Sequence, residues 1–303
     1  MRLSRRDLLA GAAGVAAIAL APGARAQPVA PMRRAIPSSG EQIPVLGLGT
    51  ARRYDVASDA DLPPLRDTLK AFQQAGCAVI DTAPVYGTAE PTVGRLAKEL
   101  GIRDSLFLAT KVSTSGRENG VRQIEQSFTA LNTGKIDLIA VHNLRDTQVH
   151  LKTLRDLKQA GRIRYVGITT SFEGQRPAFA DVMRREALDF IQVDYALDNR
   201  GAADTILPLA RERRMAVMVN LPFGRGRLFS ATRGKPLPAW AAEFDCTSWA
   251  QFFLKYILAN DAVTCVIPGM AKPEYVADNV GAARGRLPDA AMRRRMEALV
   301  ETL

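Results

Sequence analysis

Short apolar runs alternate with amphipathic segments over most of this 303-residue chain, and this alternation constrains its fold more than any other feature. A run of four to eight apolar residues bounded by turn residues is typical of a buried strand, whereas apolar residues spaced three and four apart predict a helix. Strands that alternate with helices favour a parallel sheet with helical crossovers. We therefore expect an α/β fold.

Eight strand-like runs are present, the number that closes a parallel α/β barrel. They lie near residues 45–49, 77–81, 106–110, 136–141, 164–169, 189–193, 215–219 and 263–267. An open doubly wound sheet is the competing architecture, but Gly47 and Gly49 lack the third glycine of its phosphate-binding turn. The sequence thus predicts a (β/α)8 TIM barrel, in which a dinucleotide would be bound without a Rossmann domain.

The barrel domain is expected to span residues 35–303 and to follow a linker at residues 27–34 that contains Pro28 and Pro31. Residues 35–45 look like a small hairpin that turns at Ser38-Ser39-Gly40. At the other end, residues 288–303 predict an additional amphipathic helix. Its inward-facing residues are expected to be Met292, Met296 and Leu299.

The first 26 residues have the features of an export signal. The pair Arg5-Arg6 precedes a weakly apolar stretch over residues 10–21 and an Ala24-Arg25-Ala26 cleavage site. A membrane anchor is the alternative, but the stretch is well short of the ~20 residues that span a bilayer. We expect a twin-arginine (Tat) signal peptide, recognition by the twin-arginine export machinery, cleavage after Ala26 and a periplasmic protein with no stable membrane anchor.

Charge and cysteine content exclude several classes. The net charge is +10, but the basic groups at residues 211–214 and 293–295 look like solvated helix faces and have no interleaved aromatic residues. Cys77, Cys246 and Cys265 are odd in number and far apart, so they predict neither a disulfide framework nor a zinc site. We expect a monomer with no nucleic-acid partner and no metal ion.

Titratable side chains end three successive strand-like runs. Asp81, Lys111 and His142 each follow an apolar run, and Tyr86 lies five residues beyond Asp81. In a parallel barrel the loops after the strands form the active face, so these groups should meet in one mouth. Each residue alone also has an ordinary structural explanation, such as turn capping, packing or solvation.

The four groups together suit the reduction of a carbonyl. Hydride addition creates negative charge on oxygen, so the site needs a proton donor and groups that stabilise charge. Tyr86 is the candidate donor, and the ammonium of Lys111 would ease release of its proton. Asp81 can offset the cost of a charged lysine in the mouth, and a neutral His142 can donate a hydrogen bond to the substrate.

From about Ile36 to Ala283 the chain resembles the aldo-keto reductases. The matching pieces are Gly47-Leu48-Gly49-Thr50, Ile80-Asp81-Thr82-Ala83-x-x-Tyr86-Gly87, Ala109-Thr110-Lys111, Val141-His142, Gln192-Val193-Asp194-Tyr195, Pro222-Phe223-Gly224-x-Gly226, and Ile267-Pro268-Gly269 with Asn279. The resemblance implies reduction of a small aldehyde or ketone with a nicotinamide cofactor. It implies the same four roles, with Tyr86 as acid, Lys111 and Asp81 tuning it, and His142 orienting the substrate.

The resemblance also implies cofactor contacts. Gln192 matches the residue that binds the nicotinamide carboxamide, Phe223 could stack on the ring, and Thr169-Thr170 replaces the usual Ser-Asn pair. The complete candidate set is Gly49, Thr50, Thr169, Thr170, Gln192, Pro222, Phe223, Gly224, Gly226, Lys272 and Asn279. We expect Phe223, Tyr54 and Trp240 to line the substrate pocket.

The segment after the eighth strand departs from the family pattern. Gly269-Met270 and Tyr275 stand where members that prefer NADPH commonly present Lys-Ser and Arg, although Lys272 and a helix start near Pro273 could bind phosphate oxygens. NADPH is the favoured cofactor, with NADH possible. Arg225 and Arg227 are either pyrophosphate or substrate contacts or simply surface residues.

The sequence also allows two other functions. A redox-sensing or regulatory subunit would bind the cofactor with little turnover, as the altered phosphate segment allows. An unrelated barrel hydrolase would have to explain Lys111 and Gln192 in another way, and the sequence has no paired carboxylates for it.

Overall fold

The structure is a computed structural model that describes residues 29–303. The predicted export signal and the first two residues of the predicted linker lie outside this range. Strands β1 (Arg33–Ala35) and β2 (Gln42–Pro44) form an antiparallel hairpin in which Arg33 pairs with Pro44. The hairpin therefore begins two residues earlier than expected, within the segment interpreted as linker.

Eight further strands form one parallel sheet in chain order, and the predicted (β/α)8 architecture is confirmed. They are β3 (Leu48–Gly49), β4 (Val79–Asp81), β5 (Phe107–Val112), β6 (Ile136–His142), β7 (Ile163–Thr170), β8 (Phe190–Asp194), β9 (Ala216–Asn220) and β10 (Cys265–Val266). Parallel bridges from Leu46 to Val266 and from Gly49 to Gly269 join the first and last of them. The sheet thereby curls round on itself into a TIM-barrel-like fold.

The first of these strands is shorter than predicted. Regular pairing begins at Leu48 rather than at residue 45, because the residues before it hydrogen-bond across the seam instead. The amide of Val266 donates to the carbonyl of Val45 at 2.9 Å. The amide of Gly47 donates in turn to the carbonyl of Val266 at 2.8 Å. The residues predicted as strand are therefore extended and paired, but with the last strand.

Helices follow the strands and cover the outside of the barrel. They are α1 (Leu62–Gln74), α2 (Ala89–Glu99), α3 (Arg117–Ala130), α4 (Thr147–Gln159), α5 (Arg176–Arg185), α6 (Ile206–Glu212), α7 (Arg227–Ala231), α8 (Trp249–Leu258), α9 (Pro273–Ala282) and α10 (Ala290–Glu301). The last is the predicted C-terminal helix, which begins where the Asp289 side chain accepts a hydrogen bond from the Met292 amide at 2.8 Å. Met296 is buried, and Met292 and Leu299 pack against the core as expected.

The hairpin closes the amino-terminal end of the barrel. Ile36 and Ile43 belong to the cluster of side chains that fills the barrel interior, together with Phe107 and Phe190. Glu41 ties the hairpin down because its carboxylate accepts a hydrogen bond of 2.5 Å from the Tyr165 hydroxyl. This arrangement fits the general rule that parallel barrels bind their ligands at the carboxyl ends of the strands.

Within residues 29–303, no helix is long and apolar enough to cross a bilayer. In the same range, no three histidine, cysteine or acidic side chains gather as a metal site would require. All three cysteines are free and buried.

Candidate active site

A buried ion pair lies at the carboxyl end of the first half of the barrel. Asp81 is the last residue of β4, and Lys111 lies on the neighbouring strand β5. The ammonium of Lys111 donates to both carboxylate oxygens of Asp81, at 2.9 and 2.8 Å, and to the carbonyl of Thr82 at 2.7 Å. All three ammonium protons therefore have acceptors, as a lysine that is only 1% exposed requires.

The surroundings of Lys111 keep it protonated. Burial by itself lowers the pKa of Lys111, but the charge of Asp81 and then the phenol of Tyr86 raise it, so that the pKa lies above its ordinary value. The chain thus maintains a fixed positive charge in the mouth of the barrel.

Tyr86 lies beside this charge. The Lys111 nitrogen is 5.0 Å from the centroid of the Tyr86 ring, and the ring is half-buried. The loop that presents Tyr86 is held from the side, because Asp55 accepts a hydrogen bond of 3.0 Å from the amide of Thr88. Gly87 has a φ of +61°, and a Cβ there would lie 2.1 Å from the Asp55 carboxylate, so this turn favours glycine.

His142 completes the group at the end of β6. Its ring meets that of Tyr86 edge-on, with 6.1 Å between the centroids. Burial, with the positive charges of Lys111 and Arg145, lowers the pKa of His142 to about 4. The imidazole is therefore neutral near pH 7, and its Nδ1 lies 3.0 Å from the hydroxyl of Ser113.

Gln192, a candidate cofactor contact, is linked to the same carboxylate. From β8 its amide nitrogen donates to Oδ1 of Asp81 at 2.8 Å, while its carbonyl oxygen accepts from the hydroxyl of Thr169 at 2.8 Å. The structure thus brings Asp81, Lys111, Gln192 and Thr169 into one buried network, with Tyr86 and His142 at its open side.

Comparison with known proteins agrees with this arrangement. A model of the "Aldo/keto reductase family" matches residues 45–300. The chain belongs to this family. The matched range covers the barrel from the first strand to the C-terminal helix, and membership makes the protein an oxidoreductase of this class.

Several aldo/keto reductases are similar to it. The aldo-keto reductase YhdN of Bacillus subtilis is 30% identical over 209 residues, which is 64% of this chain and 62% of that protein. The match thus spans less than two thirds of this relative's length. An aldo-keto reductase of Strobilurus tenacellus is 28% identical over 271 residues, 76% of this chain and 80% of that protein. The crystal structure of a Klebsiella pneumoniae aldo-keto reductase in complex with NADPH has a TM-score of 0.74 and 25% identity, covering 86% of this chain and 92% of that one.

The other candidates on the early and middle strands of this aldo/keto reductase have structural partners. Thr50 is fully buried and donates to the carbonyl of Asp81 at 3.1 Å. A Cβ at Gly49 would lie 2.8 Å from the carbonyl of Ile267, so glycine is needed where β3 meets the last strand. Thr170 donates to the side chain of Gln175 at 2.6 Å. These three residues shape the strand ends rather than present free polar groups.

The loop after β9 carries Pro222, Phe223, Gly224 and Gly226. Pro222 and Gly224 are buried, whereas Phe223 is half-buried. Phe223 packs against Phe229 with 4.8 Å between the ring centroids. Gly224 and Gly226 have φ values of +55° and +94° and allow a tight turn.

Two arginines lie in and next to this turn. Arg227 binds Asp198 at 3.0 Å, which favours a structural role for it. Arg225 is exposed and has a φ of +57°.

The last two candidates lie on the α9 side of the mouth. Lys272 is the exposed residue just before α9, with its nitrogen 3.7 Å from a carboxylate oxygen of Glu274. Met270 is fully buried, so it presents nothing to a ligand, while Tyr275 is exposed. Asn279 is buried within the helix.

One of the pocket-wall predictions was wrong, and another concerns a half-buried residue that also has packing partners. Tyr54 is fully buried, so it packs beneath its loop instead of lining an open pocket. Trp240 packs between Phe252, at 5.5 Å, and the guanidinium of Arg295, at 4.3 Å, in a cluster that joins α8 to α10. Aromatic residues in loops commonly serve packing in this way.

Sequence reasoning missed three residues around the site. Asp55 locks the Tyr86 loop, and Ser113 contacts His142. Glu90 is buried beside Lys111 and accepts hydrogen bonds from Thr110 at 2.5 Å and Ser127 at 3.1 Å, and burial raises its pKa. Only Glu90 had a sequence signal, as an acidic residue inside an otherwise apolar helix face.

Proposed function

We propose that the protein reduces the carbonyl group of an aldehyde or ketone by hydride transfer from NADPH, with Tyr86 as the proton donor. The observation that carries this proposal is the position of the Lys111 ammonium, which is bonded to Asp81 and lies 5.0 Å from the centre of the Tyr86 ring. A permanent cation beside a phenol favours negative charge on the phenol oxygen, which is the charge that proton donation leaves behind.

Each residue has a defined part in the reaction. NADPH, when bound, supplies the hydride to the carbonyl carbon. Tyr86 gives its proton to the carbonyl oxygen, Lys111 stabilises the phenolate that remains, and Asp81 holds Lys111 in place. His142, neutral because its pKa is lowered to about 4, donates a hydrogen bond to the carbonyl oxygen and sets its angle. The products are the alcohol and the oxidised cofactor.

The residues at the mouth fit a nicotinamide group. Asn220, at the end of β9, has a side-chain carbonyl oxygen that is buried without a hydrogen-bond partner within residues 29–303. A carboxamide is a group that can supply the missing donor. Gln192 and Thr169 lie on the two preceding strands, and Phe223 offers a half-buried ring three residues after Asn220. The Klebsiella relative described in complex with NADPH supports the choice of cofactor.

Fewer of the described residues are candidates for binding the adenosine end of the cofactor. Lys272 is the exposed cation available at the start of α9, and Glu274 partly neutralises it. We therefore propose NADPH as the preferred cofactor and NADH as a weaker one.

Cofactor oxidation by residues 27–303 tests this function. NADPH and NADH are each mixed with a panel of aldehydes, ketones and quinones, and loss of reduced cofactor is followed by absorbance. Turnover with at least one carbonyl, faster with NADPH, is expected. Tight NADPH binding without turnover on any carbonyl would overturn the proposal and favour the redox-sensing alternative.

We also propose that residues 1–26 form a twin-arginine signal that directs the folded barrel, a monomer, to the periplasm. The support is the Arg5-Arg6 pair, the short apolar stretch and the Ala24-Arg25-Ala26 site. Cell fractionation of the full chain beside an Arg5→Lys/Arg6→Lys variant tests it. The variant is expected to lose the periplasmic form, and an unchanged periplasmic fraction would contradict the proposal. Gel filtration of the exported form tests whether it is a monomer.

A further inference from the structure

The ends of β5 and β6 place Ser113 beside His142. Val112 pairs with Val141 in the register of the two strands, so the next residue on each strand is a neighbour. The hydroxyl oxygen of Ser113 is 3.0 Å from Nδ1 of His142. Within the described chain, neither this hydroxyl nor Nε2 of His142 makes another hydrogen bond.

The segment that carries Ser113 is held firmly. The amide of Ser113 donates to the side chain of Gln123 at 2.6 Å, and Nε2 of His150 lies 2.7 Å from the carbonyl of Thr114. The amide of Gly116 donates to Asp146 at 2.7 Å. Contacts from both neighbouring helices therefore fix the backbone that carries Ser113.

The direction of the hydrogen bond decides what His142 can do. Because the pKa of His142 is lowered to about 4, the ring carries a single N–H near neutral pH. If Nδ1 carried the proton and donated to Ser113, Nε2 would be an acceptor and could not bond a carbonyl oxygen. If Ser113 donates to Nδ1, the proton lies on Nε2, the nitrogen left free for a ligand.

We propose that Ser113 is a positioning residue whose hydroxyl donates to Nδ1 of His142 and thereby keeps the proton of His142 on Nε2. The consequence for substrate rests on the proposed function, since it is the carbonyl that Nε2–H would bind. The 3.0 Å distance allows the bond in either direction, so the choice of Ser113 as the donor rests on the proposed function as well.

Nitrogen NMR of the ¹⁵N-labelled protein tests the proton assignment directly. The chain has only His142 and His150, and His150 is an internal reference because it must donate from Nε2 to the Thr114 carbonyl. Both rings are expected as the Nε2–H tautomer at pH 7. Finding the proton of His142 on Nδ1 would overturn the proposal, whether or not the protein turns over a carbonyl.

Three variants separate positioning from folding. Ser113→Ala removes the donor, and Ser113→Thr keeps a hydroxyl. Thr114→Ala, one residue away, removes a hydroxyl that makes no hydrogen bond within residues 29–303. Ser113→Ala is expected to give a mixture of His142 tautomers, with the His150 signal unchanged, and a roughly threefold to tenfold lower kcat at similar KM. Ser113→Thr and Thr114→Ala should behave like the parent. A single unchanged His142 tautomer in Ser113→Ala would refute the positioning role.

Discussion

Gln192 donates a hydrogen bond of 2.8 Å from its amide to Oδ1 of Asp81, although the two residues are 111 positions apart. The same oxygen accepts from Lys111 at 2.9 Å. A candidate cofactor contact and the proton-donating group therefore share one buried carboxylate. Changes at Gln192 should consequently affect the chemistry as well as cofactor binding.

Gln192→Glu is expected to be more damaging than Gln192→Ala. A second carboxylate beside the buried Asp81 introduces like-charge repulsion, whereas alanine removes one of the donors to that oxygen and the acceptor of the Thr169 hydroxyl. We expect lower kcat in both variants and a free energy of unfolding that is lower in the glutamate variant by roughly 1 to 3 kcal/mol relative to alanine. Urea unfolding and steady-state kinetics measure this, and equal stabilities would argue against the shared carboxylate.

Lys111→Met should abolish turnover and also destabilise the barrel. It leaves Asp81 charged and buried without its cation, which typically costs about 3 to 5 kcal/mol. Adding Asp81→Asn removes the unpaired charge, so the double variant is expected to recover part of the stability but none of the activity. Urea unfolding of both variants is the measurement. A double variant as unstable as Lys111→Met would contradict the ion-pair explanation.

His142 should make the stability of the protein depend on pH. Its pKa is about 4 in the folded state against 6.5 ordinarily, so as pH falls through 6.5 the unfolded chain takes up a proton that the folded chain does not. The free energy of unfolding should therefore decline between pH 6.5 and about 4, by roughly 1 to 2 kcal/mol at pH 5. His142→Gln should lack this part of the decline. Parallel pH profiles for the two proteins would show that the pKa of His142 is not lowered.

Lys272→Glu should weaken the binding of NADPH more than the binding of NADH. NADPH carries an additional phosphate, and charge reversal at the exposed residue before α9 would repel it. Fluorescence titration is expected to show a dissociation constant for NADPH raised by about fivefold, with a smaller change for NADH. Lys152→Glu, on the exposed face of α4, is the matched control. Equal weakening of both cofactors would place the phosphate elsewhere.

The sequence predicted the strand ends that build this site. Asp81, Lys111 and His142 follow buried apolar runs, and a parallel barrel brings the ends of such runs together. Local pattern was enough for these residues because their position depends only on where each strand stops.

The supporting contacts could not be predicted in this way. The bonds from Asp55 to Thr88 and from Ser113 to His142 join residues 33 and 29 positions apart, and each depends on the path of a loop. Tyr54 shows the same difficulty, because nothing in its local sequence distinguishes a loop aromatic that is buried from one that faces a ligand. Side-chain direction in loops is set by tertiary packing rather than by periodicity.

The most direct test of the central claim compares Tyr86→Phe with the parent protein in single-turnover reduction of a carbonyl and in NADPH titration. Removing only the phenol oxygen should slow reduction by roughly 100-fold or more while leaving the dissociation constant of NADPH within about twofold. Reduction at an unchanged rate in Tyr86→Phe would contradict Tyr86 as the proton donor.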